Sequence, residues 1–157
     1  IDYTSFPFAF FLFFSRMIFT AVRMAPRATR VYINAPKAPA VQGPFSHAVR
    51  VGDTVYLSGQ LGYIPETNEM IEGGIEEQTH QTLRNLGEVL KAAGVGYGDV
   101  VRTTVLLASM DDLPRVNVVY KQYFKDNYPT RTAFQVAGLY KKGLIEIDAI
   151  AIESKEG

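Results

Sequence analysis

The stretch from Ile75 to Ala108, IEEQTHQTLRNLGEVLKAAGVGYGDVVRTTVLLA, predicts a helix followed directly by a strand. Its first part repeats apolar residues at the spacing of one helical face: Ile75, Leu83, Leu86, Leu90 and Ala93. Glu76 and Glu77 favour the start of that helix, and Gly94 can end it. The run at 100–108 is rich in β-branched residues, which favour a buried strand. The stretch therefore predicts a helix packed on a sheet.

The flanking sequence extends this pattern in both directions. Upstream, residues 31–36 predict a short strand, and residues 45–62 predict two strands joined by a turn at Gly52 and Asp53. Downstream, Asp111 or Asp112 can begin a second helix that runs to about Phe124. A strand follows Pro129, and another spans residues 144–152. The order β-β-β-α-β-α-β-β predicts an α+β fold, in which one mixed sheet carries two helices on one face.

The N-terminal segment differs in composition from the rest. Residues 1–30 are rich in phenylalanine, and four arginines follow the phenylalanine run without an acidic residue among them. We expect this segment to be a leader or a non-native extension, poorly ordered, and residues 31–157 to form a single domain. The apolar run at 6–14 is too short for a spanning helix, which needs about 20 residues, so no membrane partner is expected. The predicted location is cytoplasmic, or mitochondrial if the Arg-bearing leader is real.

Composition also limits the chemistry. The chain has no cysteine, which excludes disulfides, thiol catalysis and Cys-based zinc sites. His47 and His80 are the two histidines, and each is expected to be a packing or surface residue. The 16 basic and 16 acidic residues give a net charge of zero, which disfavours a nucleic-acid partner. No metal or organic cofactor is expected.

Three charged residues stand in otherwise apolar strands. Glu146 and Asp148 share one face of the last strand, and Arg131 begins the strand before it. If these two strands were neighbours, Arg131 could approach one of the acids. The pair could be an ordinary ion pair worth about 0–1 kcal/mol, which spacing alone favours. It could also be an anion site, where arginine binds a carboxylate and an acid transfers protons.

Five segments together resemble the Rid family, also called the YjgF or L-PSP family, and within it the RidA subgroup. They are APAVQGPFSHAV (38–49), VYLSGQLG (55–62), LKAAG (90–94) with DVVRTTVLLASMDDLPRVNVVYKQYF (99–124), YPTRTAFQVAGL (128–139) and IEIDAIAI (145–152). The resemblance covers roughly residues 34–152 in order. It implies a chorismate-mutase-like fold that forms homotrimers, with ligand sites in clefts between subunits. The implied activity is hydrolysis of 2-iminobutanoate and 2-iminopropanoate to 2-keto acids and ammonia.

The resemblance also implies a role for individual residues. Arg131 would clamp the substrate carboxylate, and Asp148, rather than Glu146, would position a water and transfer protons. The backbone carbonyl near Ala133 would help to hold that water. The remaining substrate-binding residues implied by the motifs are Phe45, Ser58, Gly59, Leu61 and Asn117.

Two positions depart from the RidA pattern and keep other interpretations open. The usual Gly-Pro-Tyr-Ser is GPFS here, so Phe45 lacks a hydroxyl, and the usual final-strand glutamate is Asp148. Tyr140 also stands where Leu-Pro is common. The second hypothesis is a non-catalytic, trimeric small-carboxylate-binding or chaperone-like protein. The third is an endoribonuclease or translation inhibitor, against which the neutral charge argues.

Overall fold

The computed structural model of the chain describes residues 28–154. Six strands and two helices follow one another in the predicted order. The strands are β1 (Arg30–Ile33), β2 (Ala48–Val51), β3 (Thr54–Leu61), β4 (Val100–Leu107), β5 (Thr130–Gln135) and β6 (Ile145–Ile152). The helices are α1 (Ile75–Ala92), between β3 and β4, and α2 (Leu113–Tyr123), between β4 and β5. The predicted leader lies almost wholly outside the described residues, and β1 begins at its last residue, Arg30.

The strands form one mixed sheet in the order β1-β2-β3-β6-β4-β5. All pairs are antiparallel except β4 with β5, which run parallel because α2 connects them. The predicted α+β architecture is confirmed. The condition that the last two strands are neighbours is not met, because β4 lies between β5 and β6.

The core lies between the sheet and the two helices. In β6 the buried residues alternate as the sequence predicts: Ile145, Ile147, Ala149 and Ala151. Their cross-strand neighbours Val105 and Leu107 in β4 are fully buried beside them. Leu83, Leu86 and Leu90 of α1 pack on this face, so its helical stripe is buried as expected.

Glycines set two of the chain reversals that frame the sheet. Gly52 adopts a φ of 60° in the β2–β3 turn, and Gly94 adopts a φ of 76° directly after α1. Residues that carry a Cβ rarely adopt this left-handed backbone conformation. The sequence therefore predicted the β2–β3 turn and the end of α1 correctly.

The other sheet face carries apolar side chains although both helices of the described region pack on the opposite side. Strand register places these side chains together: Tyr32, Val49, Tyr56, Leu106, Phe134, Ile150 and Ile152. Tyr56 is 50% exposed and Phe134 is 53% exposed. We call this surface the open sheet face. Neither described helix is long and apolar enough to cross a membrane.

Candidate active site

A bulge in β3 creates the local geometry of the site. Leu57 pairs with Ala149 and Gln60 pairs with Ile147, so two residues of β3 stand opposite one residue of β6. The two bulge residues are Ser58 and Gly59. A bulge bends its strand and redirects the side chains beside it. Here it turns the Ser58–Gly59 backbone towards a cavity.

Hydrogen bonds hold the bulge against the loop that precedes β2. The Ser58 hydroxyl donates to the carbonyl of Ser46 at 2.7 Å, and the Ser58 N–H donates to the carbonyl of His47 at 3.0 Å. Ser58 therefore has a partner within the fold and fixes the loop. It is not placed as a free nucleophile.

His47 anchors the other side of the same loop. Its Nδ1 accepts from the Ala35 N–H at 3.2 Å, and its Nε2 donates to the Pro39 carbonyl at 2.9 Å. The ring is buried, and these two bonds need the neutral tautomer with the proton on Nε2. The expected packing role of His47 is confirmed.

Between this loop and the bulge lies a cavity of about 560 Å³, which we call the Glu146 cavity. Four predicted binding residues line it: Phe45, Ser58, Gly59 and Leu61. The structure adds residues that the motifs had not assigned, chiefly Gln60, Tyr63, Asn68, Tyr140 and Glu146. Phe45 is 54% exposed, so its ring is available to a ligand in the cavity.

Glu146 supplies the acid of this cavity. It pairs with Leu61 across the strands, and its side chain lies against the Gly59 backbone. A Cβ added at Gly59 would come within 2.8 Å of the Glu146 carboxyl carbon, so only glycine admits this approach. Burial, followed by the charge on Asp148, raises the pKa of the Glu146 carboxyl above its usual range.

Asp148, to which the resemblance assigns the water and the proton transfer, lies two residues after Glu146 in β6. Asp148 is half-buried in β6 opposite the bulge, but it is not among the described residues that line the cavity. Side chains two apart on a strand point to the same face, and of these two it is the Glu146 side chain that lies against Gly59 and lines the cavity. Of the two acids in β6, Glu146 is the one that lines the cavity within one copy of the chain.

Arg131 lies elsewhere, beside a second cavity of about 390 Å³ that we call the Arg131 cavity. Its lining includes Asn117, Tyr120, Tyr128 and Arg131. The guanidinium carbon of Arg131 stands 5.0 Å from the centre of the Tyr120 ring, a cation–π distance. Burial raises the pKa of Tyr120, whose hydroxyl lies 2.9 Å from that of Thr103.

The two cavities lie on opposite sides of the sheet. Arg131 pairs with Thr103, which is buried on the helix-covered face, whereas Glu146 alternates with the buried residues of β6 and points to the other face. Strand β4 separates β5 from β6, which puts these two strands about 10 Å apart. Ala133, two residues after Arg131, is half-buried against the core. One copy of the chain thus brings together Phe45 with Glu146, and separately Asn117 with Arg131.

The chemistry open to the Glu146 cavity is proton transfer. A carboxyl whose pKa is raised can exchange a proton nearer to neutral pH than an ordinary glutamate. The hydroxyl of Ser58 and the ring nitrogens of His47 are already engaged in hydrogen bonds. The cavity therefore lacks an activated nucleophile among its described residues, and the acid would act on a bound water or substrate.

The family profile and the named relatives that this chain resembles belong together. The family profile described as Endoribonuclease L-PSP matches residues 35–153. A human protein named 2-iminobutanoate/2-iminopropanoate deaminase is 51% identical over 124 residues, which are 79% of this chain and 90% of the human protein.

Solved structures agree with this match. The crystal structure of RidA from the Antarctic bacterium Psychrobacter sp. is 43% identical with a TM-score of 0.75, covering 78% of this chain and 98% of that one. The structure of E. coli TdcF with bound serine is 36% identical with a TM-score of 0.75, covering 79% of this chain and 99% of that one.

Proposed function

Because the chain belongs to the L-PSP family, also called the Rid family, we propose that it is an imine deaminase. It hydrolyses 2-imino acids such as 2-iminobutanoate and 2-iminopropanoate to 2-oxo acids and ammonia. The observation that carries this proposal is the Glu146 carboxyl, half-buried on the wall of a cavity and held against the Gly59 backbone. The name of the human relative, at 51% identity, supports the substrate class.

We propose further that the active site forms between two copies of the chain in a homotrimer. Arg131 and Glu146 lie on opposite sides of the sheet, so a ligand as small as 2-iminobutanoate cannot contact both residues within one copy. The open sheet face provides the apolar surface that an oligomer would bury, with Tyr56 and Phe134 about half exposed. Arg131 stands on β5, which is an edge strand of the sheet, so packing that edge against the open sheet face of a neighbouring copy would bring Arg131 of one copy to the Glu146 cavity of the next.

Within such a site, Arg131 binds the substrate carboxylate with two parallel hydrogen bonds. Asn117 lies beside it in the Arg131 cavity and supports the same end of the ligand. Phe45 packs against the planar imine, while the Ser58–Gly59 backbone and Leu61 complete the wall. The carbonyl near Ala133 helps to hold the attacking water, as the family resemblance implied.

Glu146 performs the proton transfers, in place of the expected Asp148. A water attacks the imine carbon as Glu146 accepts one of its protons, forming the carbon–oxygen bond and leaving a carbinolamine once that proton passes to nitrogen. The hydroxyl proton then moves through Glu146 to the amine, the carbon–nitrogen bond breaks, and ammonia leaves a 2-oxo acid. Water and the imine supply every atom of the products. A pKa raised towards neutral suits a group that must both accept and donate.

A coupled assay tests this function. Threonine dehydratase generates 2-iminobutanoate, semicarbazide traps it, and the deaminase lowers the yield of semicarbazone. We expect the wild-type chain to suppress the semicarbazone, and Arg131→Ala and Glu146→Gln each to lose that effect. Asp148→Asn is the matched control, because it removes an acid from the same strand but outside the cavity. An Asp148→Asn variant as inactive as Glu146→Gln would contradict the reassignment.

Mixing the two inactive variants tests the shared site. In a randomly mixed trimer of Arg131→Ala and Glu146→Gln chains, about a quarter of the interfaces combine an intact Arg131 with an intact Glu146. We therefore expect activity to return to about a quarter of the wild-type value after the chains are unfolded and refolded together. Absence of recovery in trimers shown to be mixed would refute a site between copies.

The assay also separates the alternatives. If the wild-type trimer binds 2-oxobutanoate but leaves the yield of semicarbazone unchanged, the chain is a carboxylate-binding protein that does not hydrolyse the imine.

The cytoplasmic or mitochondrial location stays a prediction.

A further inference from the structure

The mouth of the Glu146 cavity carries a cluster of two tyrosines and a lysine, which we call the rim cluster: Tyr63, Tyr140 and Lys141. The rings of Tyr63 and Tyr140 meet edge to face with their centres 6.4 Å apart. The Lys141 Nζ lies 5.6 Å from the centre of the Tyr63 ring and 5.8 Å from that of Tyr140. Both tyrosines line the cavity, and Tyr140 is 60% exposed.

An unusual backbone holds this cluster in place. Lys141 and Lys142 are consecutive residues with φ of 47° and 60°, in the left-handed backbone region that residues other than glycine rarely adopt. The turn is closed by the Gly143 N–H, which donates to the Tyr140 carbonyl at 3.1 Å, and by the Tyr63 hydroxyl, which donates to the same carbonyl at 3.4 Å. Lys141 also donates to the Asn68 carbonyl at 3.4 Å. Two left-handed lysines persist only where the surroundings determine them, and such positions concentrate at ligand sites.

The arrangement of the cavity decides what meets this cluster. With its carboxylate bound by Arg131 of the neighbouring copy, a 2-imino acid places its C=N bond beside Glu146 and the bulge, so its side chain extends along the remaining apolar wall. Phe45, Tyr63 and Tyr140 form that wall. A two-carbon side chain occupies little of a cavity of about 560 Å³, whereas an aromatic ring would reach the Tyr140 ring and pack against it.

We propose that the rim cluster is a side-chain subsite that selects 2-imino acids with an aromatic side chain, a specificity that rests on the proposed deaminase function. Tyr140 provides the packing surface for the substrate ring, and Tyr63 fixes the orientation of Tyr140 from the side. Lys141 lies over both tyrosine rings and places a positive charge at the entrance, where it attracts the anionic substrate.

Two imines of different size test the subsite. An L-amino-acid oxidase converts L-phenylalanine and L-2-aminobutyrate to their imines in the presence of catalase, and semicarbazide trapping reports the rate at which the deaminase removes each. We expect wild-type kcat/KM to be about tenfold higher for the aromatic imine, in line with the strength of aromatic pairs. Tyr140→Ala should remove most of that difference by raising KM far more for the aromatic imine than for the small one, and Tyr140→Phe should retain it. Equal losses for both imines in Tyr140→Ala, or a wild-type preference for the small imine, would overturn the subsite.

A binding measurement separates failure of the subsite from failure of the deaminase. Isothermal titration of the wild-type chain with phenylpyruvate and with 2-oxobutanoate needs no turnover. Tighter binding of phenylpyruvate that Tyr140→Ala abolishes supports the subsite even if neither imine is hydrolysed, and in that case only the deaminase function fails. Equal affinity for the two 2-oxo acids overturns the subsite whatever the activity. Light scattering on Tyr140→Ala checks that its oligomeric mass equals that of the wild type, and a changed mass with unchanged selectivity would assign Tyr140 to an interface instead.

Discussion

Gly59→Ala adds a single methyl group, which should lower the activity and leave the stability of the fold nearly unchanged. The added methyl would lie 2.8 Å from the Glu146 carboxyl carbon and 3.0 Å from its Cγ. Carbon atoms in contact stand about 3.5–4.0 Å apart, so the carboxyl carbon must withdraw by roughly 1 Å. Misplacement by about 1 Å can cost about 100-fold in rate. We therefore expect kcat/KM for imine hydrolysis to fall by about 100-fold.

Stability should change little in the same variant. The obstructing atoms belong to the end of a flexible side chain, and moving it off its preferred rotamer costs about 0.5–1.5 kcal/mol. Replacing glycine by alanine restricts the unfolded chain and returns about 0.4–1 kcal/mol. The two effects nearly offset one another, so thermal denaturation should show a Tm within about 4 °C of the wild type.

A control and a rescue complete the test. Gly98→Ala is the matched control, because its added Cβ meets no described atom within 4 Å and should leave activity unchanged. Glu146→Asp shortens the acid by one methylene and makes room for the methyl, so Gly59→Ala combined with Glu146→Asp should lose less than the product of the two single losses. Full activity in Gly59→Ala would refute the idea that the carboxyl position against Gly59 governs the reaction.

Three further predictions concern pH, stability and assembly. Burial raises the pKa of Glu146, so the folded chain binds the carboxyl proton more tightly than the unfolded chain does. At a pH above the pKa of Glu146 in the folded chain, Glu146→Gln should therefore be more stable than the wild type. Denaturant titrations should show this advantage shrinking as the pH falls towards the pKa of Glu146 in the unfolded chain. Arg50 donates hydrogen bonds to the Glu153 carboxylate and to the backbone carbonyl of Ala93 at the end of α1. Arg50→Ala should therefore lower the free energy of unfolding by about 1–3 kcal/mol. An unchanged denaturation midpoint would contradict this. Tyr56→Lys places a charge on the open sheet face and should reduce the mass measured by light scattering, whereas Val118→Lys, at a still more exposed position on α2, should not.

The fold was predictable because local patterns decide it. Helical spacing in residues 75–94 identified α1, and the turn at Gly52 and Asp53 identified the β2–β3 hairpin. Strand order was not predictable, since alternation within β5 and β6 says nothing about which strand lies between them. The insertion of β4 there removed the simple pairing of Arg131 with an acid.

The site was predictable in part, for a different reason. The family motifs supplied Phe45, Ser58, Gly59 and Leu61, which the structure brings to one cavity. The choice between Glu146 and Asp148 depends on the bulge, which appears only when β3 is paired with β6. A signal was present in the glycine after Ser58, because glycine inside a strand often marks a bulge or a close approach of another group.

The β3 bulge also has an evolutionary consequence. Leu57 and Gln60 face the core although they are three positions apart, which is possible only because the strand carries one residue more than its partner. Deleting one of the two bulge residues would give a regular strand and leave every core position on either side in register. A single-codon deletion could therefore convert the family's enzyme into an inert protein of the same fold, and a single-codon insertion could have created the site from such an ancestor.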